Sequence, residues 1–214
     1  MNYFLKSFLI FILLICYGCS SFGSNIAPGY SDAIKLAKNY IYGSPDNIDP
    51  DVIRNIPYAS MKLRIGKGST GLLILEQMIG KVEYWVSADE VYVVIKNGRV
   101  IQTSGLENNL IRSTSHENLF TEESTYSYLN SYDNPKLDSF KVNANVESGK
   151  LTEVNLNSGK KSLLLFEESL SNEYTGWNVT NKYWIDSEDY VWKSIQHISP
   201  KLPPFYIEIT KRPL

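Results

Sequence analysis

Beyond Cys19 this 214-residue chain contains no cysteine, so whatever follows has neither disulfide nor thiol chemistry open to it. Histidine is almost as scarce: only His116 and His197 occur, far apart in sequence. With no thiol and two lone imidazoles, a transition-metal site is not expected, and no cofactor is expected either. A catalytic histidine needs an orienting partner, and His197 lies in a predicted strand among aromatics, so a structural or surface role is the simpler reading. The chain also lacks a Gly-x-Ser-x-Gly elbow, a His-Glu-x-x-His pair, a Gly-x-x-x-x-Gly-Lys loop and a dinucleotide glycine pattern. There is no basic block or low-complexity tract, and the formal net charge is −2. A mildly acidic chain with scattered lysines is a poor nucleic-acid binder. Nor is there a run of about 20 apolar residues, the length a spanning helix needs.

The two cysteines that do occur sit together at the N-terminus. Lys6 is the only charge before residue 32, and every residue from Phe8 to Cys16 is apolar. A positive start followed by a short apolar run reads as a secretory signal peptide rather than a retained anchor. Tyr17-Gly18-Cys19-Ser20 resembles the end of a bacterial lipobox, in which a small residue precedes the cysteine that takes the lipid. Cys16 suits that role poorly, because bulky Ile15 would occupy the cleavage position. It also stands where such boxes usually carry Leu. Several acyl chains hold a protein at a bilayer firmly where one holds weakly, so a lipidated Cys19 would anchor the protein without a transmembrane helix. Ser20, in place of an Asp, favours the outer membrane by the same resemblance. The expected organisation is a signal peptide over 1–18, a lipidated tether over 19–30, and a single β-rich domain over 31–214.

Fifteen Tyr and four Trp, with many Val, Ile and Thr, favour strands. Ser31 can cap a helix carrying Ile34, Ala37 and Ile41 on one face, and Gly43-Ser44-Pro45 ends it. Asp49-Pro50 reads as an N-cap with Pro at the first helical position, giving one further turn of helix through Arg54. From Tyr58 the period becomes two, with Ala59, Met61, Leu63 and Ile65 on one face. Asn97-Gly98 is the strongest turn signal and joins Val91–Lys96 to Arg99–Thr103 as a hairpin. Residues 105–122 read as irregular. Phe140–Glu147 and Leu151–Asn157 are expected to pair across Ser148-Gly149-Lys150. About eleven strands with short turns predict a mainly β fold. It would be an antiparallel meander curled into an open barrel or corner-like sheet, with a short N-terminal helical segment plugging or flanking it.

Carboxylates deserve separate weighing, because two of them suffice to cut a glycoside when they lie about 5–10 Å apart. Asp186, Glu188 and Asp189 cluster between two strands, and Asp89-Glu90 sits in a similar place. Asp at a strand end also bonds its own backbone, which explains both groups without catalysis. Glu167-Glu168 reads as a solvated turn. Trp85, Trp177, Trp184 and Trp192 lie in predicted strands beside Tyr84, Tyr92, Tyr183 and Tyr190; as core they fill a β interior, and as surface they could stack on sugars. Alternation sends Tyr183 and Trp184 to opposite faces.

Several segments in order resemble the YjbF/GfcB family, the group 4 capsule polysaccharide lipoproteins. They are Ile56-Pro57-Tyr58-Ala59-Ser60, Tyr84-Trp85-Val86-Ser87-Ala88-Asp89, Asn97-Gly98-Arg99-Val100-Ile101 with Thr103 and Gly105, and Lys182-Tyr183-Trp184-Ile185-Asp186-Ser187. The resemblance implies an exported lipoprotein serving extracellular polysaccharide or capsule export, and it supplies no reaction. Polar residues recurring at strand ends suggest that Asp89, Arg99, Tyr183, Trp184 and Asp186 line a shared surface for glycan or a partner protein, with Arg99 pairing Asp186 or Asp89. The resulting expectation is a non-enzymatic accessory factor, tethered at Cys19 on the periplasmic face of the outer membrane, that binds polysaccharide or an export-machinery protein. Two alternatives stand beside it: a half-barrel carrier of a lipid or lipid-linked sugar, and a carboxylate-dependent glycan hydrolase.

Overall fold

A computed structural model of the chain describes residues 48–115, 124–147 and 149–213. Cys19, the expected helix over residues 31–42 and His116 lie outside them. The described residues form one helix, α1 (Pro50–Asn55), and thirteen strands. The strands are β1 (Ser60–Ile65), β2 (Thr70–Ile79), β3 (Val82–Ser87), β4 (Tyr92–Lys96), β5 (Arg99–Ser104), β6 (Leu110–Ser113), β7 (Ser124–Tyr132), β8 (Leu137–Val146), β9 (Lys150–Leu156), β10 (Gly159–Asn172), β11 (Trp177–Ile185), β12 (Val191–Gln196) and β13 (Phe205–Lys211). The short helix begins as its sequence dictates: the Asp49 carboxylate accepts from Asp51 N at 2.8 Å, and Pro50 holds the first helical position.

All thirteen strands join one antiparallel sheet in the order β5-β4-β3-β2-β1-β13-β12-β11-β10-β8-β7-β6, with β9 paired to β10. The sheet is nearly closed as a barrel. Its two outer strands meet without a ladder: Leu110 N, opening β6, donates to Thr103 Oγ1 in β5 at 3.0 Å. The link before β6 is held by Asn109, which accepts from Leu106 N and donates to Leu106 O and to Asp133.

Period two decides what faces inward. Met61 and Leu63 of β1 face Phe205, Ile207 and Ile209 of β13, and all five are buried with Trp85, Val93, Leu110, Val142 and Leu170 in one cluster. Each such side chain stabilises the fold by about 1.5–3 kcal/mol on leaving water. The hairpin of β9 and β10 adds a second layer outside the barrel. Val154, Leu156 and Leu163 pack on Trp184 and Trp192, and Asn157 N at its tip donates to Glu208 Oε1 of β13 at 2.7 Å. Trp184, Lys193 and Glu208 lie in register, so the hairpin covers the outer face of β11–β13.

Three expectations are corrected. Residues 110–113, read as irregular, form β6. β8 and β9 do not pair with each other; β10 pairs with β9 through its first half and with β8 through its second. Glu167-Glu168 is not a solvated turn, because β10 runs on to Asn172 and carries Phe166, Glu168 and Leu170 inward.

Candidate functional site

The strand connections define two ends of the barrel. At the near end lie the start of β1 and the turns β2–β3, β4–β5 and β11–β12. At the far end lie β1–β2, β3–β4, β7–β8 and β10–β11. Asp186 follows β11 at the near end, whereas Asp89 lies between β3 and β4 at the far end. The five residues expected to line one surface therefore do not share one. Arg99 meets neither aspartate.

Arg99 opens β5 immediately after the Asn97-Gly98 turn and points into the barrel. Its Nη2 is paired with Glu168 Oε1, and the two side chains are 4 % and 0 % exposed. Tyr126 gives its hydroxyl proton to the same Glu168 oxygen. Arg99 Nη2 also donates to the Tyr126 hydroxyl at 2.9 Å, and Nη1 to the Tyr128 hydroxyl at 3.2 Å. On the other carboxylate oxygen, Tyr183 donates at 3.1 Å and Asn181 Nδ2 at 3.2 Å. Asn181 Oδ1 accepts from His197 N at 2.6 Å, which places His197 as a structural residue at the edge of this network. Arg99 Nε has no partner among the described residues.

Electrostatics follow the geometry. Burial works against the Arg99 charge, but the Glu168 carboxylate together with Tyr183, Tyr128 and Tyr126 outweighs it and holds the guanidinium above its usual range. Burial pushes the phenols of Tyr126, Tyr128 and Tyr183 above their ordinary value, with Arg99 opposing. Tyr132, further along β7, is pushed up to about 12 by burial. The cluster is thus a closed charge pair whose carboxylate is held by four donors, and the hairpin that carries Arg99 is tied to β7, β10 and β11 through it. Gln196 ties the same hairpin to β12: its Oε1 accepts from Val100 N and its Nε2 donates to Gly98 O, both at 2.9 Å. A Cβ on Gly98 would lie 2.1 Å from Val191 Cγ2, so this turn is pressed against β12. The sequence hint was available. Phe166, Glu168 and Leu170 recur at period two, and a carboxylate on that stripe needs a buried cation.

Asp186 builds a different site, at the surface. Its Oδ1 accepts from Glu188 N at 2.9 Å and Tyr190 N at 3.0 Å, and its Oδ2 accepts from Trp192 Nε1 at 2.7 Å. Partial burial raises its pKa, but those donors outweigh burial and the carboxyl sits below its ordinary value. Arg212 bonds Glu188 at 2.6 Å and lies 4.5 Å over the Tyr190 ring. Beside this group, half-buried Trp184 has Lys193 Nζ 5.6 Å from its ring centre, and Trp192 has Lys161 Nζ at 4.1 Å. Trp85, by contrast, is fully buried in the core. Among the described residues no group of His, Cys, Asp and Glu is arranged to hold a metal ion.

The chain is similar to known lipoproteins. The model of the family described as group 4 capsule polysaccharide lipoprotein gfcB, YjbF matches residues 34–211. The chain belongs to this family. One relative, the uncharacterized lipoprotein YjbF of Escherichia coli (strain K12), is 22% identical over 223 residues, covering 95% of this chain and 96% of that one. The uncharacterized lipoprotein GfcB of the same organism is 33% identical over 63 residues, 29% of each chain. Among solved structures, the crystal structure of the hypothetical lipoprotein YmcC from Escherichia coli (K12) superposes with a TM-score of 0.69 at 22% identity. It covers 89% of this chain and 100% of that one, a likeness of fold. The family segments fall on the elements just described: Arg99 and Tyr183 stand in the inner cluster, and Asp186 caps the β11–β12 turn.

Proposed function

We propose that the protein is an accessory factor of capsule polysaccharide production or export, held by a lipidated Cys19 on the periplasmic face of the outer membrane. It acts by binding rather than by catalysis, and it binds through its outer surface. The observation that carries this reading is the content of the barrel. Side chains of opposite walls meet in one buried cluster, and the Arg99–Glu168 pair lies in the same interior. A lipid carried inside would have to displace that packing and strip a buried charge pair of its partners, which costs several kcal/mol. A glycan or a protein partner meets the outer face without that cost. Trp184, where the β9–β10 hairpin leaves its ring uncovered, and Asp186 supply an aromatic edge and a carboxylate there. Arg99 and Tyr183 act from beneath by fixing the strands, and Asp89 serves at most a separate contact at the far end.

The test is titration of the full-length protein in detergent with the host's own exopolysaccharide, followed by intrinsic Trp fluorescence, with polymer size checked by chromatography. A saturable signal with intact polymer is expected, at least threefold weaker in Trp184→Phe. Shortened polymer would mean a hydrolase. No signal at millimolar sugar would sink glycan binding and leave a protein partner.

A further inference from the structure

The β2 arm of the β2–β3 hairpin has an open edge at the near end. Ser60, the first residue of β1, pairs with Ile74, so among the described residues Gln77–Ile79 have strand partners only on the β3 side. The tip of β2 therefore runs past the start of β1 as an open strand edge, while β3 behind it stays paired to β4 as far as the Val82–Lys96 pair. Gly80 turns it at φ +59, and a Cβ there would meet nothing within 4 Å. Met78 and Ile79 are 50% and 55% exposed, and Lys81 beside them is exposed as well. An open strand edge with large apolar side chains is a liability unless something receives it.

Other exposed apolar side chains gather at this end. Val52 lies on α1, Tyr58 on the segment leading into β1, and Leu151 at the start of β9. The same end receives the segment that leads from α1 into β1. Lys211 Nζ, at the near end of β13, donates to Ile56 O and Pro57 O, which fixes the segment between α1 and β1 there. About 30 residues separate Cys19 from Ile48, and that length can span up to roughly 100 Å when extended. Such a tether keeps the barrel near a bilayer but does not by itself orient it.

We propose that the Met78–Val82 tip is a second membrane contact, which seats Met78 and Ile79 in the interfacial layer of the bilayer that anchors Cys19 and turns the near end toward the lipid. Lys81 then lies at headgroup level with its stem along the apolar layer. The contact rests on the lipid-anchor reading and adds the orientation that a long tether leaves free. It would hold Trp184 and Asp186 close to the membrane surface and point Tyr174, 93% exposed at the β10–β11 turn, away from it.

The full chain, processed in its host and reconstituted into phosphatidylethanolamine/phosphatidylglycerol vesicles, tests this directly. A lipidated Cys19 carries no free thiol, so the unsubstituted chain should take no thiol-reactive dye. Ile79→Cys, Met78→Cys and the far-end control Tyr174→Cys each introduce one site for an environment-sensitive fluorophore. Quenching by lipids spin-labelled near the headgroup is expected to be at least twofold stronger at 79 and 78 than at 174. Equal quenching at all three positions overturns the membrane contact and leaves the anchor standing. A blue-shifted label at 79 that lipid does not quench means that protein covers the tip, from this chain or another copy, and also overturns it. Dye uptake by the unsubstituted chain, with no flotation on the vesicles, overturns both the anchor and the contact that rests on it.

Discussion

Two turns of this barrel, Ser87–Glu90 at the far end and Asp186–Asp189 at the near end, share one construction. In each, the first residue's side chain accepts from the backbone N–H four positions on, from Val91 and from Tyr190, at 3.0 Å. In each, the first carbonyl accepts from the fourth residue's N–H, at 3.1 and 3.2 Å, and that fourth residue is left-handed, Glu90 at φ 62 and Asp189 at φ 61. Each turn also follows a Tyr-Trp pair on the incoming strand. There the likeness stops. Before the first turn, Trp85 is inside and Tyr84 half-exposed; before the second, Tyr183 is inside, bonded to Glu168, and Trp184 lies outside. The difference coincides with a register shift at Trp184/Ile185 against β12, which β3 and β4 lack. The extra residue of that shift is Trp192 in β12, and β11 itself alternates unbroken from Asn181 to Ile185, so the same local motif supplies a core ring at one end and a polar network at the other.

Breaking the two Tyr-Trp pairs separately gives the largest contrast. Trp85→Ala removes a fully buried ring and should cost about 3–5 kcal/mol in urea unfolding. Trp184→Ala, at a half-buried outer position, should cost about 1–2 kcal/mol. Comparable costs would mean that the two rings are equally core. Arg99→Met should also cost about 3–5 kcal/mol, since it leaves Glu168 buried and unpaired. Most of that should return in Arg99→Met with Glu168→Leu, measured as a double-mutant cycle.

A subtler version exchanges only hydroxyls. Tyr183→Phe should cost about 1–3 kcal/mol, because a buried carboxylate loses a donor. Tyr84→Phe should fall within about 0.5 kcal/mol of no effect.

The smallest effect sharpens the likeness itself. The folded Asp186 carboxyl lies below its unfolded value, so its contribution is present above the unfolded pKa near 3.9 and is lost as pH falls through the folded one. Asp186→Ser makes the second turn resemble the first and removes the titrating group. The fall in stability below about pH 4 should then be shallower, with little change at pH 7; an unaltered acid profile would show that other carboxylates set it.

Much of the frame was legible beforehand. Asp49-Pro50 capped the helix as read, and Asn97-Gly98 turned the hairpin. β6 escaped notice because four residues with one buried side chain give too short a period to read. Glu168 was misread because two adjacent glutamates look solvated, and only the continuation to Leu170 shows the strand passing through them.

Within the described residues, then, the sequence by itself settled strand identity, turn chemistry and which residues share a face of each strand, because these depend on neighbours within a few positions. Only the tertiary structure decided that Arg99 meets a glutamate 69 residues away, that Asp89 and Asp186 stand at opposite ends, and that the β9–β10 hairpin folds over two tryptophans. Those outcomes depend on where the sheet closes and on register between strands far apart in the chain, and no local period carries that information.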